Sequence, residues 1–316
     1  MIAVISCYFN PISCPYRLAN YKRFLKEIAK EDVDLFVVEL SFEDEQEFQL
    51  TRTTEKKLIQ IKSQDIMFQK ERMLNILIED LPDKYDKVMW MDCDLVYLDV
   101  GWAQRASEAL EESPLVQPYS WAVGLPECKL SEPSPTHFVN YDCYAAGNIR
   151  KSFIFYYHHR KTFASAHGGH VGYVWAARRE LLDRHKLYDP IITGAGDLFM
   201  TFAAIGNFSF LDYEQYLRHM SEEATNHFFD WAVPWYEDIR ANVGYTNDLI
   251  MHLWHGDVHV RNYLYNSQCL GHSGFSPNKD LLLGEDRCWH WNRKNYWLHE
   301  ALQDIFDQQH VTQKCK

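Results

Sequence analysis

The sequence predicts an α/β fold built on a mostly parallel sheet, and three observations carry that expectation. Short β-prone runs alternate with helical patterns through the first hundred residues, the pattern of a parallel sheet flanked by helices. One run, Val88-Met89-Trp90-Met91, is continuously apolar, as a strand covered on both faces must be. The chain, at 316 residues and 47% apolar composition, is large enough to bury one substantial core.

The elements follow in order. Residues 2–8 are apolar and β-prone and end at Asn10-Pro11, which marks a turn. Leu18, Tyr21, Leu25 and Ile28 fall on one face at helical spacing. Leu35 to Glu39 reads as a second strand, and Leu58, Ile59 and Ile61 as a short third. Residues 66–80 read as a helix with Met73, Leu74, Leu77, Ile78 and Leu81 inward, stopped by Pro82. Residues 113–170 are rich in Pro, Gly and aromatics and predict long loops. Val171 to Ala177 predicts a strand, with a helix from Arg178. A helix at 197–205, a strand at 208–211, a helical stretch at 213–243 and a last helix at 295–309 complete the expectation. There is no internal repeat or linker. The seams fall near 120 and 260, dividing the chain into 1–120, 121–260 and a C-terminal extension at 261–316.

Composition narrows the function. A net charge of −12 argues against wrapping nucleic acid by charge alone, though not against a local basic groove. Aromatics at 15% supply rings that can stack on sugars or bases as well as fill a core. The eight cysteines, Cys7, Cys14, Cys93, Cys128, Cys143, Cys269, Cys288 and Cys315, include no CxxC and read as reduced thiols of a cytosolic protein. Met1 leads directly into a strand, with no basic segment and apolar run of a leader. No apolar run approaches the ~20 residues of a spanning helix. The expectation is a cytoplasmic protein without a membrane span.

Five stretches can carry chemistry. In Asp92-Cys93-Asp94 side chains alternate, so both carboxylates project to one side at the carboxyl end of the buried strand, where α/β ligands bind. Such a pair can hold a divalent cation, and the cation a diphosphate; the bland alternative is a solvated acidic turn. Asp32-Val33-Asp34 has the same spacing but precedes a strand, where no ligand site is expected. His252-Leu253-Trp254-His255-Gly256 places two imidazoles three apart beside a glycine that permits a turn, so both can converge on a manganese-class metal. A zinc site with His259, or two packed histidines, are the alternatives. Gly194-Ala195-Gly196-Asp197 precedes an apolar helix, so Asp197 reads as a general base or as a helix cap. In His167-Gly168-Gly169-His170 the tandem glycine lets a substrate lie against the backbone, or makes an ordinary turn. Phe68 to Asn75 opens a helix on which Lys70, Arg72 and Asn75 face a nucleotide or merely solvent.

Taken in this order, the stretches resemble a glycosyltransferase of the GT-A fold, with a likeness to the catalytic domain of the β-1,4-galactosyltransferases and related bacterial and viral enzymes. That family has an F-N-R-A-x-L-L-N helix, a D-V-D motif, a glycine-rich segment, a W-G-x-G-x-E-D segment and a late M-x-x-H. The matching stretches are Phe68 to Asn75, Asp92 to Asp94, His167 to Gly172, Gly194 to Asp197 and His252 to His255, within residues 1–260. The resemblance implies a single catalytic domain using Mn2+ or Mg2+ and a UDP-sugar donor. It implies Asp94 and His255 as metal ligands, with His252 where the family has methionine. It implies Asp92 on the ribose or a metal-bound water, Lys70 and Arg72 near the base or phosphates, and Asp197 as catalytic base with inversion at the sugar. The chain departs from the family's Glu-Asp at Gly196-Asp197, so one carboxylate is missing there.

The acceptor stays open. Tyr141, Tyr144, Phe153, Phe155, Tyr156 and Tyr157 precede the basic run His158 to Lys161, and Phe228, Phe229, Trp231, Trp235 and Tyr236 form a second aromatic group. A glycan or polysaccharide precursor is the first expectation and a hydroxymethylated base of viral DNA the second. Core packing is the plain alternative for the rings. A nucleotidyltransferase would also need an acidic metal pair, but Cys7 to Arg17 lacks the glycines of its phosphate loop. A silent sugar-nucleotide-binding protein is the remaining class.

Overall fold

A computed structural model describes residues 1–11, 13–42, 47–126, 149–160, 169–213, 217–256, 268, 270–293 and 296–304. Its centre is a seven-stranded sheet. In chain order the strands are β1 (Ile2–Phe9), β2 (Asp34–Phe42), β3 (Lys57–Ser63), β4 (Lys87–Met91), β6 (Leu115–Gln117), β9 (Val174–Arg178) and β10 (Val243–Tyr245). In space the order is β10-β6-β9-β4-β1-β2-β3. All neighbours pair parallel except β9, which runs antiparallel to both β4 and β6. The fold is therefore α/β with a mostly parallel sheet, and the sheet draws strands from both sides of the seam expected near residue 120.

The continuous apolar runs do what their patterning requires. Val88 to Met91 in β4 are all buried, facing two different core clusters by alternation: Val88 and Trp90 one, Met89 and Met91 the other. On one face lies α2 (Lys70–Asp80), whose Met73, Leu74, Leu77 and Ile78 are buried. On the other lies α1 (Pro15–Ile28), with Tyr21, Phe24 and Ile28 buried. Burying each such side chain stabilises the fold by about 1.5–3 kcal/mol before entropy is subtracted.

A second sheet, in the order β5-β11-β7-β8, flanks the first. Its strands are β5 (Leu95–Tyr97), β7 (Trp121–Gly124), β8 (Ile149–Lys151) and β11 (Leu249–His252). β11 lies antiparallel to β5 and parallel to β7. Of these strands β7 and β8, with β6 and α4 (Phe153–Arg160), fall within the region 113–170 expected to be long loops. Residues 127–148 and 161–168, with Tyr141, Tyr144 and Gly168, lie outside the described residues.

The later helices differ from expectation in instructive ways. The expected helix at 66–80 begins at Lys70, because Phe68 N–H donates to the Ile192 carbonyl at 2.9 Å and draws the preceding segment aside. Residues 208–211 are not a strand but part of the helix α7 (Phe208–Tyr213). The alternating phenylalanines serve two different neighbours: Phe210 stacks on Phe202 of α6 (Gly196–Ala204) at 4.1 Å, and Phe208 meets Phe229 of α8 (Glu222–Ile239) edge-on. Among the described residues after α7, the helical stretch expected over 213–243 is α8, started by Ser221, whose hydroxyl accepts from Ala224 N–H. It stops at Arg240, in the left-handed region, and the chain then enters β10. Toward the C-terminus, β12 (Leu281–Leu283) and β13 (Trp289–Trp291) form a hairpin, and a helix occupies 296–304. This segment packs Leu270, Phe275, Leu281, Leu298 and Leu302 on Met67 and Ile192, beside the start of α2. Among the described residues no helix is long and apolar enough to cross a membrane.

Candidate active site

The site lies where β4 ends. Asp92 N–H continues the β4–β9 ladder to the Tyr173 carbonyl at 2.9 Å. The chain then leaves the central sheet and enters β5. There Leu95 pairs with His252, and Leu253 N–H donates to the Asp94 carbonyl at 2.8 Å. This register sets Asp94 beside the histidine segment, although about 160 residues separate them in sequence. Cys93 packs toward the core cluster beneath α1, but β4 ends at Met91 and Cys93-Asp94 form a turn, so the placement of the two carboxylates comes from that turn and not from the strand alternation expected.

Asp94 Oδ2 lies 3.0 Å from His255 Nε2, and Asp94 Oδ1 lies 3.7 Å from His252 Nε2. One ligand atom from each of these three residues lies within 4.8 Å of the others. His255 is buried, and α1 pins its segment: Asn20 Nδ2 donates to the Trp254 carbonyl at 3.0 Å, and Tyr16 meets the Trp254 ring edge-on at 4.6 Å. Two imidazoles and one carboxylate fit a divalent ion of the manganese–zinc class better than magnesium, which prefers oxygen ligands.

Lys70, the first residue of α2, reaches across this floor. Its Nζ lies 2.7 Å from Asp92 Oδ1 and donates to Asp197 Oδ2 at 3.0 Å. Burial acts against the ammonium, but the carboxylates of Asp197 and Asp92 outweigh it and hold the Lys70 pKa well above the ordinary lysine value. Asp92 is pushed up to about 6, by burial first and by Asp94 and Asp197 next, with Lys70 opposing. Asp197 sits in the first turn of α6, behind a turn in which Gly194 and Ala195 both take positive φ, 89° and 76°. Its side chain turns to Lys70 instead of capping the helix.

Two further groups complete the wall. The His170 and Tyr173 rings stack at 3.8 Å, and Tyr173 leans on His252 at 5.0 Å. Tyr173 has φ of 83°, a conformation costly for a bulky residue and of the kind that collects at functional sites. Between them Gly172 leaves room: a Cβ there would stand 3.1 Å from His170 Cε1 and 3.2 Å from Asp197 Oδ2.

Other expected contributors have different occupations. Arg72 is buried and ion-pairs with Asp189 at 3.0 Å and Glu79 at 3.0 Å. Asn75 donates to Asp189 and to the Leu187 carbonyl, each at 2.8 Å, and accepts from Leu187 N–H. Both side chains join α2 to the segment after α5 (Arg179–His185), rather than facing a nucleotide. Gly169 is needed because a Cβ there would fall 2.6 Å from the Phe153 Cα, so the backbone that approaches it is the protein's own. Asp34, of the second Asp-x-Asp, bonds Tyr85 and Lys84 at the opposite end of the sheet. The aromatic group at 228–236 is mostly core: Phe228 and Trp235 are buried, and Phe229 and Trp231 pack against them. The ring group around α4 is more open. Phe153 is buried, but Lys151 Nζ lies over the rings of Trp121 and Phe155, and Trp121 is exposed.

The chain matches no protein-family model and no curated protein. Among solved structures it is similar to glucosyl-3-phosphoglycerate synthase from Mycobacterium tuberculosis in complex with Mn2+, UDP-glucose and phosphoglyceric acid. The identity is 13%, the match covers 92% of this chain and 86% of that one, and the TM-score is 0.42. It is also similar to 4-diphosphocytidyl-2C-methyl-D-erythritol synthase from Anaerococcus prevotii, at 10% identity over 78% and 87% of the two chains with a TM-score of 0.35. Both likenesses are distant in sequence and in shape.

Proposed function

We propose that this protein is a metal-dependent glycosyltransferase of the GT-A type that moves a sugar from a nucleotide-sugar donor, a UDP-sugar, to an acceptor hydroxyl on a glycan. The observation that carries the reading is the convergence of Asp94, His252 and His255 at the end of β4, with Lys70 joining that end to Asp197. Asp94, His255 and His252 would hold Mn2+, which neutralises charge on a leaving diphosphate. Asp92 meets the ribose side of the donor. Lys70, kept charged by its carboxylates, supplies a cation to the phosphates. Asp197 takes the proton of the acceptor hydroxyl as that oxygen attacks the anomeric carbon and the bond to the diphosphate breaks, which inverts the sugar. The open ring group of Trp121 and Phe155 with Lys151 gives a glycan a surface to stack on.

The test is a donor screen. The purified chain with Mn2+ is melted against a panel of nucleotide-sugars, and slow donor hydrolysis is followed in parallel. Stabilisation by one UDP-sugar that chelator abolishes supports the reading. Failure of every nucleotide-sugar with metal present overturns it. Stabilisation by a nucleoside triphosphate alone would move the protein to the nucleotidyltransferases.

A further inference from the structure

Tyr173 stands directly before β9, and its ring is on the side of the sheet where alternation would not put it. Along β9 the side chains divide in the regular way. Trp175 and Ala177 enter the core cluster on the α2 face, and Val174 and Ala176 the cluster on the α1 face. Continued by one residue, the alternation sends Tyr173 with Trp175. Instead Tyr173 packs against the α1 cluster, on the same side as Val174. The φ of 83° accounts for the departure: a left-handed residue breaks the pleat, so two consecutive side chains share a face.

Buried groups hold this backbone in place. Asp92 N–H donates to the Tyr173 carbonyl at 2.9 Å, the Tyr119 hydroxyl to the Gly172 carbonyl at 3.1 Å, and Gln117 Nε2 to the His170 carbonyl at 2.9 Å. Tyr119 and Gln117 are themselves fully buried, so the core beneath fixes the costly conformation. What the conformation yields is the position of one ring. The Tyr173 ring stacks on His170, 9° from parallel, and also reaches His252, with 34° between the planes. Gly172 N–H donates to His170 Nδ1 at 3.1 Å and so holds the backing ring.

We propose that Tyr173 is a positioning residue of the metal site. Its ring, backed by His170, sets the orientation of the His252 imidazole. Its carbonyl holds the Asp92 N–H just before the turn that carries Asp94. One residue thereby ties together the two segments that bear the ligands. Groups that orient a metal's ligands carry part of its affinity, although they never touch the ion. The inference rests on the reading of Asp94, His252 and His255 as the metal site.

The test compares the purified full-length chain with Tyr173→Phe, Tyr173→Ala and Tyr173→Gly. It reads the metal-free Tm and, by isothermal titration, the Kd for Mn2+. Tyr173→Phe keeps the ring and should bind Mn2+ as the native chain does. Tyr173→Ala and Tyr173→Gly lose the ring and should bind about 10-fold more weakly. Stability should sort differently. Both small variants lack the ring, but only glycine takes a positive φ without penalty, so Tyr173→Gly should melt above Tyr173→Ala. Affinity then follows the ring and stability follows the backbone, a split that a purely structural residue does not give. Native Mn2+ affinity in Tyr173→Gly overturns the proposal, and so does a Tyr173→Phe as weak as Tyr173→Gly. A Tyr173→Ala that melts above Tyr173→Gly overturns it too, because the ring's position depends on the left-handed backbone. Should Tyr173→Ala fail to fold, Tyr173→Phe against Tyr173→Gly still decides the affinity. No Mn2+ binding by the native chain overturns the metal reading and this inference together. Native binding that survives loss of the ring overturns this inference alone.

Discussion

Replacing Asp94 with Asn keeps the size of the side chain and removes the charge between His252 and His255. The three donor atoms converge within 4.8 Å, so on the proposed function each residue would contribute directly to metal affinity. With free Mn2+ about a hundred times its Kd, binding stabilises the native state by about 2.7 kcal/mol. For a chain of this size that is a rise in Tm of about 5 °C, at about 2 °C per kcal/mol. Asp94→Asn should lose most of that rise while its metal-free Tm changes little, since the 3.0 Å contact to His255 can be kept by an amide. Asp34→Asn is the matched control. It alters the other Asp-x-Asp, whose Asp34 is engaged with Tyr85 and Lys84, so it should lower the metal-free Tm and keep the full manganese response. Melting curves of the chelator-treated proteins, with and without Mn2+, read both quantities. A full manganese response in Asp94→Asn would refute the assignment of this cluster as the metal site.

Three further outcomes follow from the same geometry. Arg72→Ala strands the buried Asp189 carboxylate and should cost about 3–5 kcal/mol of stability, while the donor KM of the folded fraction stays near native; urea denaturation and initial rates separate the two. Lys70→Met removes the cation from Asp92 and Asp197 and should raise the donor KM about 10- to 100-fold, the weight of a charge-assisted bond to phosphate; an unchanged KM would contradict its role. Burial is the largest influence on Glu71 and pushes its carboxyl up to about 8, so Glu71→Gln should flatten the pH dependence of stability. Between pH 4.5 and about 8 the folded native chain holds a proton that the unfolded chain releases, so native stability falls as pH rises through that window. The Gln variant lacks that fall, an effect on the order of a few kcal/mol by pH 8, measurable by denaturation at both ends of the window.

What could be read from the sequence was what is local. Val88 to Met91 announced a doubly covered strand by composition, and the acidic residues after it were placed by lying at its carboxyl end, although the strand itself stops at Met91. His252 and His255 were visible as a pair because they are close in the chain. Their partnership with Asp94 came only through the family resemblance and not from the residues themselves, because it depends on pairing two strands of three and four residues across some 150 intervening positions. Arg72 and Asn75 looked like a polar helix face, and their burial depends on Asp189, more than a hundred residues away. Tyr173 gave no signal, since nothing in its type announces a positive φ. The burial of Glu71 was hidden for a related reason: an acid in a first helical turn is ordinary.

The first turn of α2 joins the two sides of the chemistry. Lys70 and Glu71 are consecutive and so point about 100° apart around the helix. Lys70 spans from the end of β4 to the start of α6, and Glu71 lies against α6 itself. On the proposed function, a diphosphate arriving beside Asp92 and Asp94 would compete with Asp197 for the Lys70 ammonium, so that one side chain would link donor binding to the freedom of Asp197. The C-terminal hairpin holds the lever in place: Gln69, the residue before Lys70, donates to the Trp289 carbonyl at 3.1 Å and accepts from Trp289 N–H at 2.7 Å. The C-terminal segment is in this way part of what fixes the start of α2 and, with it, Lys70.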